Sequence, residues 1–201
     1  MNNSNQVSAI VLAAGSSLRM NGPNKLLLTY KGKTFIESVV DNLLESKVKE
    51  IIVVVGFEKE KVRTVLQNRE VIIVENLNHL NGMTSGIIAG VSVAEGIGYI
   101  ICLSDMVKLL ADDYNQLIHV FETNHRKNSK CIIVPQFKGN WGNPVIFSSH
   151  YKNDILNNSI TEGCKNIVMK NNQQISLVDF LNDNIMIDVD SPEDYSKLEV
   201  K

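Results

Sequence analysis

The sequence lacks any apolar run that approaches the roughly 20 residues of a membrane-spanning helix. It also lacks an excess of charge of either sign, since its formal net charge is −2 at pH 7. Such a balance gives no whole-chain attraction to nucleic acid or to anionic lipid. The polar segment from Met1 to Gln6 contains no signal-peptide core. These absences predict a cytoplasmic protein with no membrane and no nucleic-acid partner.

Cysteine and histidine are scarce, and neither occurs with the spacing of a metal site. Cys102, Cys131 and Cys164 lie far apart, are odd in number and form no C-x-x-C pair. The chain has 4 histidines, and none lies within ligand spacing of a cysteine or of another histidine. We therefore expect reduced, buried thiols and no transition-metal site.

Strand-like and helix-like patterns alternate along most of the chain. Its 201 residues, 44% hydrophobic and 21% charged, suffice to bury the core of one domain spanning residues 1–201. The alternation predicts an α/β fold, a three-layer sandwich with a mostly parallel sheet. Predicted strands cover about 7–13, 51–55, 71–74, 99–103, 131–134, 145–147 and 185–187, and predicted helices cover about 34–46, 58–68, 111–125 and segments that begin near 82 and 192.

A loop of small residues follows the first predicted strand. From Ala13 to Ser17 there is little side-chain bulk, so a ligand can approach the backbone N–H groups, and Arg19 and Lys25 add positive charge. A nucleotide is the natural candidate for such a loop. The pattern is neither a P-loop nor a dinucleotide fingerprint, because Met20 and Ser17 stand where those motifs need glycine. An ordinary surface turn with two solvated cations is the alternative.

The same loop resembles the signature L-A-x-G-x-S-x-R-M-x-x-x-N-K of the MobA-like NTP transferases, which attach a nucleotide to the molybdenum cofactor. The matching residues are Leu12, Ala13, Gly15, Ser17, Arg19, Met20, Asn24 and Lys25. The resemblance implies a Rossmann-like sheet of the nucleotide-diphospho-sugar transferase type. It also implies a nucleotide site that contains Leu12, Ala13, Ala14, Gly15, Ser16, Ser17, Arg19 and Lys25.

A glycine-rich segment precedes and begins the helix predicted near residue 82. Its first turn, from Met83 to Ser85, has free N–H groups and a positive dipole end that can face a base or a phosphate. The resembling transferases carry a similar Gly-Met-x-Ser segment, which Gly82, Met83 and Ser85 match. The resemblance adds these three residues and Asn76 to the nucleotide site. A helix that only packs closely on the sheet is the alternative.

Asp105 lies at the end of the predicted strand 99–103, after Ser104. An acidic residue at the carboxyl end of a buried parallel strand projects into the crevice where open α/β sheets bind ligands. In a nucleotidyltransferase, Mg²⁺ would be held there through one or two carboxylates, with waters and phosphate oxygens as its other ligands. The segment C-L-S-D-M resembles the family's C-L-x-D-M-P, although Val107 replaces the proline. The resemblance makes Asp105 a metal ligand, and a turn cap is the alternative.

Two further acidic residues, Asp188 and Asp190, follow the predicted strand 185–187. Only one of the two need face the crevice. The segment D-V-D-S-P-E-D resembles the D-x-D-T-P-E-D ending of these transferases, which implies that Asp190 is the second metal ligand. Ser191 and the acids after it also suit the start of a helix.

The segment G-N-W-G-N-P-V-I-F resembles the family's G-x-x-G-x-P-V-x-F, part of the acceptor side of the cleft. Trp141 either stacks on a pterin or a base, or braces the loop. Further along the resemblance weakens, and Lys165 stands where relatives tend to have arginine, which removes bidentate phosphate recognition. An exposed helix charge is the other reading of that lysine. The implied acceptor residues are Trp141, Gly142, Asn143, Pro144 and Lys165.

These segments lead to one expected reaction, transfer of CMP from CTP to the terminal phosphate of a molybdopterin-type cofactor, with release of pyrophosphate. The expected catalytic residues are Arg19, Lys25 and Asp105, with Mg²⁺ as the cofactor. Within the family, alanine at position 14 is associated with CTP and glycine with GTP. A cytosine dinucleotide product implies a molybdenum hydroxylase or its chaperone as partner. The alternatives are GTP or another phosphorylated acceptor such as a sugar phosphate, and a non-catalytic carrier.

Overall fold

The computed structural model describes residues 6–17, 20 and 24–199. The strands in this part of the chain are β1 (Val7–Ala13), β2 (Thr29–Tyr30), β3 (Lys33–Thr34), β4 (Glu50–Val55), β5 (Ile72–Glu75), β6 (Gly98–Leu103), β7 (Ile132–Phe137), β8 (Asn140–Trp141), β9 (Val145–Ser148) and β10 (Ile175–Asp179). The α-helices are α1 (Phe35–Leu44), α2 (Lys59–Leu66), α3 (Met83–Val93), α4 (Ala111–His125), α5 (Lys152–Leu156), α6 (Lys165–Lys170) and α7 (Pro192–Glu199). No helix within these ranges is long and apolar enough to cross a membrane.

The central sheet has the strand order β10-β7-β9-β6-β1-β4-β5, and β8 pairs with β7. Strand β1 runs parallel to both β4 and β6, β4 runs parallel to β5, and β7 runs parallel to β10. Strand β9 is antiparallel to both of its neighbours. The sheet is therefore mixed but mostly parallel, as the alternation predicted, and the carboxyl ends of its central strands meet at one edge.

Helices cover both faces of the sheet, so that the central strands are buried on each side. On β1, Val11 belongs to the core formed with α1 and α4, whereas Ile10 belongs to the core formed with α3, α5 and α6. This arrangement explains why β1 and β4 are almost continuous runs of aliphatic residues rather than alternating ones. The predicted three-layer α/β sandwich is confirmed.

The strand predicted at 185–187 is wrong. Residues Asn184–Met186 form a 3₁₀ turn, and the carbonyl of Ile185 accepts a hydrogen bond from the N–H of Asn143 at 2.9 Å. The edge position beside β7 is taken instead by β10. Residues 187–190 consequently run without regular structure into α7, which begins at Pro192 as expected, with the Ser191 Oγ accepting from the Asp194 N–H at 3.2 Å.

Helix α3 lies very close to the sheet at one glycine. A Cβ on Gly90 would overlap the side chain of Ile10 and lie 3.1 Å from Val54 Cγ2, whereas a Cβ on Gly86 would be 3.5 Å from Leu12 Cδ2. We expect Gly90→Ala to lower the free energy of unfolding by about 1–3 kcal/mol through overpacking. The control Gly86→Ala should be neutral or stabilise by up to about 1 kcal/mol, since alanine favours the helix. Urea unfolding of both variants measures this, and equal stabilities would contradict the close contact.

Candidate active site

A cavity of about 450 Å³ opens at the carboxyl ends of β1 and β6. Its wall is formed by the loop after β1, the beginning of α3, and the segments that follow β6 and precede α7. The lining residues are Leu12, Ala14, Gly15, Ser16, Lys25, Leu26, Asn76, His79, Leu80, Gly82, Met83, Gly86, Leu103, Ser104, Asp105, Asp188 and Asp190. The position agrees with the general rule for ligand sites in open α/β sheets.

The small-residue loop leaves its backbone open to this cavity. An added Cβ on Gly15 would meet no atom within 4 Å. A ligand can therefore approach the backbone of this loop closely, as expected. Ser17 lies behind the lining and closes the loop, because its Oγ accepts a hydrogen bond from the Lys25 N–H at 3.1 Å. Ala13 is fully buried in the core beneath. Arg19 lies outside the described residues.

Lys25, Asp105 and Asp190 come together although 80 and 165 residues separate the lysine from the two acids. Lys25 Nζ donates to Asp105 Oδ2 at 2.5 Å and to Asp190 Oδ1 at 2.7 Å. Burial alone would lower the pKa of the Lys25 ammonium, but the two carboxylates outweigh this effect and the pKa lies above its ordinary value. The lysine is therefore held as a cation between two anions.

Asp188 is a third carboxylate in the same cavity. Burial raises its pKa, and the negative charges of Asp105 and Asp190 raise it further. Asp190 lines this cavity too, whereas the sequence interpretation needed only one of the two acids there. The sequence interpretation assigned a site role to Asp190, and the structure adds Asp188 to the same cavity.

The carboxylates fit a hard divalent cation that brings other ligands with it. Asp105 is only 6% exposed, and its buried Oδ1 has no hydrogen-bond partner in the part of the chain that the structure describes. Within that same part, no three His, Cys, Asp or Glu side chains converge on one metal position. Such a cation would need oxygens from water and phosphate besides one or two carboxylates, which is the ordinary coordination of Mg²⁺.

The beginning of α3 contributes to the cavity differently from the prediction. Gly82 and Met83 line it, but the N–H of Thr84 already donates to the carbonyl of Thr161 at 3.3 Å. Ser85 lies outside the lining, where its Oγ accepts from Asn76 Nδ2 at 2.8 Å and donates to the Gly82 carbonyl at 2.8 Å. Asn76 and Ser85 thus shape the turn that presents Gly82.

His79 and Leu80 also line the cavity, and no sequence pattern singles them out. They lie in the 3₁₀ turn His79–Asn81 between β5 and α3. A Cβ on Gly56 would overlap the His79 side chain, so this histidine packs directly against the end of β4. Leu80 is 83% exposed and contributes an apolar rim.

A second cavity of about 440 Å³ adjoins the first. Met83 and Leu103 line both cavities and form the partition between them. Its floor is apolar, with residues of β6, β7, β9, α3 and α6, while Glu162 and Lys165 lie at an exposed rim. Its lining is Met83, Ile87, Ile101, Leu103, Val134, Trp141, Gly142, Asn143, Val145, Phe147, Glu162, Gly163, Cys164, Lys165 and Val168.

Four of the five expected acceptor residues therefore surround one cavity, and Pro144 lies buried behind it. The loop that carries them is fixed from both sides, because the N–H of Gly142 donates to the Pro135 carbonyl at 2.9 Å and the N–H of Asn143 to the Ile185 carbonyl. A Cβ on Gly142 would lie 2.5 Å from that same Ile185 oxygen, so glycine is required. Trp141 is 42% exposed at the lip.

The fold is that of the nucleotide-diphospho-sugar transferases. A nucleotidyl transferase from Methanothermobacter thermautotroptrophicus superposes with a TM-score of 0.82 over 96% of each chain, at 20% identity. Within this class, the chain belongs to the MobA-like NTP transferase domain family, whose model matches residues 9–175.

Two relatives are named for nucleotidyl transfer to different acceptors. A 2-aminoethylphosphonate cytidylyltransferase of Lancefieldella rimae is 33% identical over 150 residues, which cover 71% of this chain and 57% of that protein. A probable molybdenum cofactor guanylyltransferase of Bacillus mycoides is 38% identical over 101 residues, 49% of this chain and 48% of that protein. The matched segments thus span about half the length of these relatives.

Proposed function

We propose that this protein is a nucleotidyltransferase that moves CMP from CTP to the terminal phosphate of a molybdopterin-type cofactor and releases pyrophosphate. One observation carries the proposal: two cavities of similar volume share the wall of Met83 and Leu103, and Lys25 with its carboxylates lies in the first. The family model supports nucleotidyl transfer. The whole of 1–201 then acts as one domain in the cytoplasm, and a molybdenum hydroxylase or its chaperone receives the product.

The first cavity is the proposed donor site. The open backbone at Gly15 accommodates the triphosphate, and Gly82 with Met83 bounds the nucleotide on the side of α3. Ser17 and Ser85 position these segments from outside the lining, whereas Asn76 lines the cavity and also donates to Ser85. Ala14, whose family form is associated with CTP, packs beside Gly56 in the wall. Arg19 is proposed as a phosphate ligand from the sequence alone.

Mg²⁺ is the proposed cofactor, with Asp105 and Asp190 as the residues that would hold it. When bound, it supplies charge neutralisation on the triphosphate. The buried, unpartnered Oδ1 of Asp105 and the two carboxylates around Lys25 support this assignment. Displaced from that pair, the Lys25 ammonium can turn toward the phosphates of the leaving pyrophosphate.

The reaction needs no protein base, because a phosphate monoester has a second pKa of about 6 and is mostly dianionic at neutral pH. An oxygen of the acceptor phosphate forms a bond to the α-phosphorus of CTP. The bond from that phosphorus to the α–β bridging oxygen breaks, and pyrophosphate leaves with the electron pair. Lys25 and Arg19 stabilise the negative charge that grows on the leaving group.

The second cavity is the proposed acceptor site. Its apolar floor and the Trp141 indole suit the faces of a flat heteroaromatic ring such as a pterin, while Lys165 gives one exposed cation for a phosphate. A small, fully polar acceptor such as 2-aminoethylphosphonate would leave most of this apolar surface without a partner. The chemistry of the cavity therefore favours the larger acceptor over the one named for the Lancefieldella relative.

Pyrophosphate release tests the proposal. With Mg²⁺, the protein would be given CTP, GTP, ATP or UTP, each with freshly released molybdenum cofactor, glucose 1-phosphate, 2-aminoethylphosphonate or no acceptor. We expect release with CTP only when the cofactor is present. Release with GTP would overturn the Ala14 argument, and release with another acceptor would overturn the acceptor assignment. Cofactor binding without any release would favour the carrier.

A further inference from the structure

The first turn of α3 is bonded to a distant turn, residues 160–163. The side chain of Thr84 is 3% exposed. Its Oγ1 donates to the carbonyl of Ile160 and accepts from the N–H of Gly163 at 2.9 Å. The Thr84 N–H adds the bond to the Thr161 carbonyl at 3.3 Å. One buried threonine therefore connects two segments that are more than 70 residues apart.

Steric contacts leave little freedom at this junction. Gly82 has φ of +84°, and a Cβ there would lie 2.6 Å from the Thr161 oxygen. Gly163 has φ of +88°, and its Cβ would lie 3.1 Å from the Met83 Sδ. Both glycines adopt a left-handed conformation in which a side chain is strained as well as obstructed. The two segments are thus in contact over their backbones and not only through Thr84.

This junction, formed by the start of α3 and residues 160–163, contributes residues to both cavities. Gly82 and Met83 line the first cavity, Glu162 and Gly163 line the second, and Met83 lines both. Thr84 itself lines neither of them. Any shift of the turn 160–163 against α3 would move the acceptor wall relative to the donor wall.

We propose that Thr84 is a positioning residue that fixes the wall of the acceptor cavity relative to the wall of the donor cavity. This inference rests on the proposed function, because the two cavities have these names only there. Its hydroxyl keeps the acceptor-side turn seated on α3, so that the acceptor phosphate reaches the α-phosphorus at the correct distance and angle. Loss of the hydroxyl leaves the Ile160 carbonyl and the Gly163 N–H unsatisfied, and the turn moves outward to find water.

The test compares Thr84→Val with Thr84→Ser. Valine keeps the shape but removes the hydroxyl, and serine restores it. We expect Thr84→Val to raise the KM for the cofactor about tenfold, the equivalent of one lost hydrogen bond, with the KM for CTP within about twofold of wild type. Thr84→Ser should return both constants toward wild type. The matched control is Thr64→Val on the exposed face of α2, which removes a hydroxyl that donates to Glu60.

Acceptor binding can be measured without turnover, because Trp141 is the single tryptophan of the chain and lies in the acceptor cavity. Its fluorescence, titrated with freshly released cofactor, should give the same tenfold loss in Thr84→Val. A gentler variant, Asn158→Ala, loosens the same turn from outside by removing the Nδ2 bond to the Gly163 carbonyl at 2.9 Å. It should shift the same constants in the same direction by a smaller factor.

Hydrogen exchange separates the junction from the proposed reaction. We expect faster exchange of the Gly163 amide in Thr84→Val than in wild type, whether or not CTP is the substrate. Unchanged Gly163 exchange would overturn the junction itself. Faster exchange with equal rises in both KM values would reduce Thr84 to a structural role. If wild type binds cofactor but releases no pyrophosphate, the reaction fails, while the exchange and fluorescence results still decide the role of Thr84.

Discussion

Replacing Asp105 with asparagine is expected to lower kcat by at least about a thousandfold, since the change removes a charged ligand from the place where a metal would control the phosphate charge. Asparagine has the same shape but no negative charge. The Asp190 carboxylate, whose Oδ1 lies 2.7 Å from Lys25 Nζ, continues to pair with the lysine, so the fold should be retained. Mg²⁺-dependent pyrophosphate release measures the loss, and circular dichroism checks the fold.

The matched control is Asp112→Asn, the same chemical change at an exposed position in the first turn of α4. It should leave kcat within about twofold of wild type, as surface substitutions away from a site usually do. Mn²⁺ binding in the presence of CTP, followed by electron paramagnetic resonance, should fall in Asp105→Asn and remain in the control. Unchanged turnover in Asp105→Asn would remove this residue from the metal role.

The position of Asp105 could be predicted because it depends on little more than strand order. A buried run of β-branched residues predicts a central parallel strand, and the residue after it must lie at the carboxyl edge. The same argument placed the small-residue loop after β1, and the structure brings Gly15 and Asp105 to one cavity. Local composition was sufficient where the site residue lies within two residues of the end of a regular strand.

Asp188 could not be placed in this way because the strand assumed before it does not exist. The short apolar segment 185–187 reads equally as a strand or as a buried turn, and only its contacts decide. The Ile185 carbonyl accepts a hydrogen bond from the N–H of Asn143, more than 40 residues away. This bond holds the segment as a 3₁₀ turn. The turn leads into residues 187–190, and both Asp188 and Asp190 line the same cavity.

Contacts between a helix start and an irregular turn could not be predicted from the sequence either. The bonds of Thr84 to residues 160–163 join a helix start to a turn, and neither segment has a periodic pattern that points to the other. The sequence instead predicted that the Thr84 N–H would be free for a ligand, which is the ordinary expectation for a first helical turn. The Thr161 carbonyl takes that N–H, a pairing that only the tertiary fold creates.

The Lys25 ammonium has different partners in the structure from those that the sequence predicted. The loop signature put its ammonium beside the phosphates, and in the structure it lies between Asp105 and Asp190. Its pKa is raised above the ordinary value of 10.5, because the carboxylates outweigh the effect of burial. As long as the carboxylates are ionised, the stability that the lysine contributes is fully present below pH 10.5 and is lost as the pH rises through the higher folded pKa. Throughout neutral pH, the ammonium competes with any divalent cation for the same oxygens.

Lys25→Met should therefore change metal binding and catalysis in opposite directions. Without the ammonium, the two carboxylates repel each other, and a cation relieves that repulsion. We expect the nucleotide-free variant to bind Mn²⁺ at least about tenfold more tightly than wild type, a difference of at least about 1.4 kcal/mol. Transfer should nevertheless fall by about a hundredfold, with a higher KM for CTP, since the leaving pyrophosphate loses a cation.

Electron paramagnetic resonance of free Mn²⁺ gives the affinity, and pyrophosphate release gives the rate. The control is Lys47→Met, which removes the same charge from an exposed turn after α1 and should leave both values near wild type. Equal or weaker Mn²⁺ binding in Lys25→Met would contradict competition at the carboxylates. If competition holds, the wild-type protein binds metal tightly only after a triphosphate has bound. The Lys25 ammonium then pairs with phosphate oxygens, which leaves the two carboxylates free for the metal. The lysine would in this way keep a divalent cation from occupying the site before the nucleotide arrives.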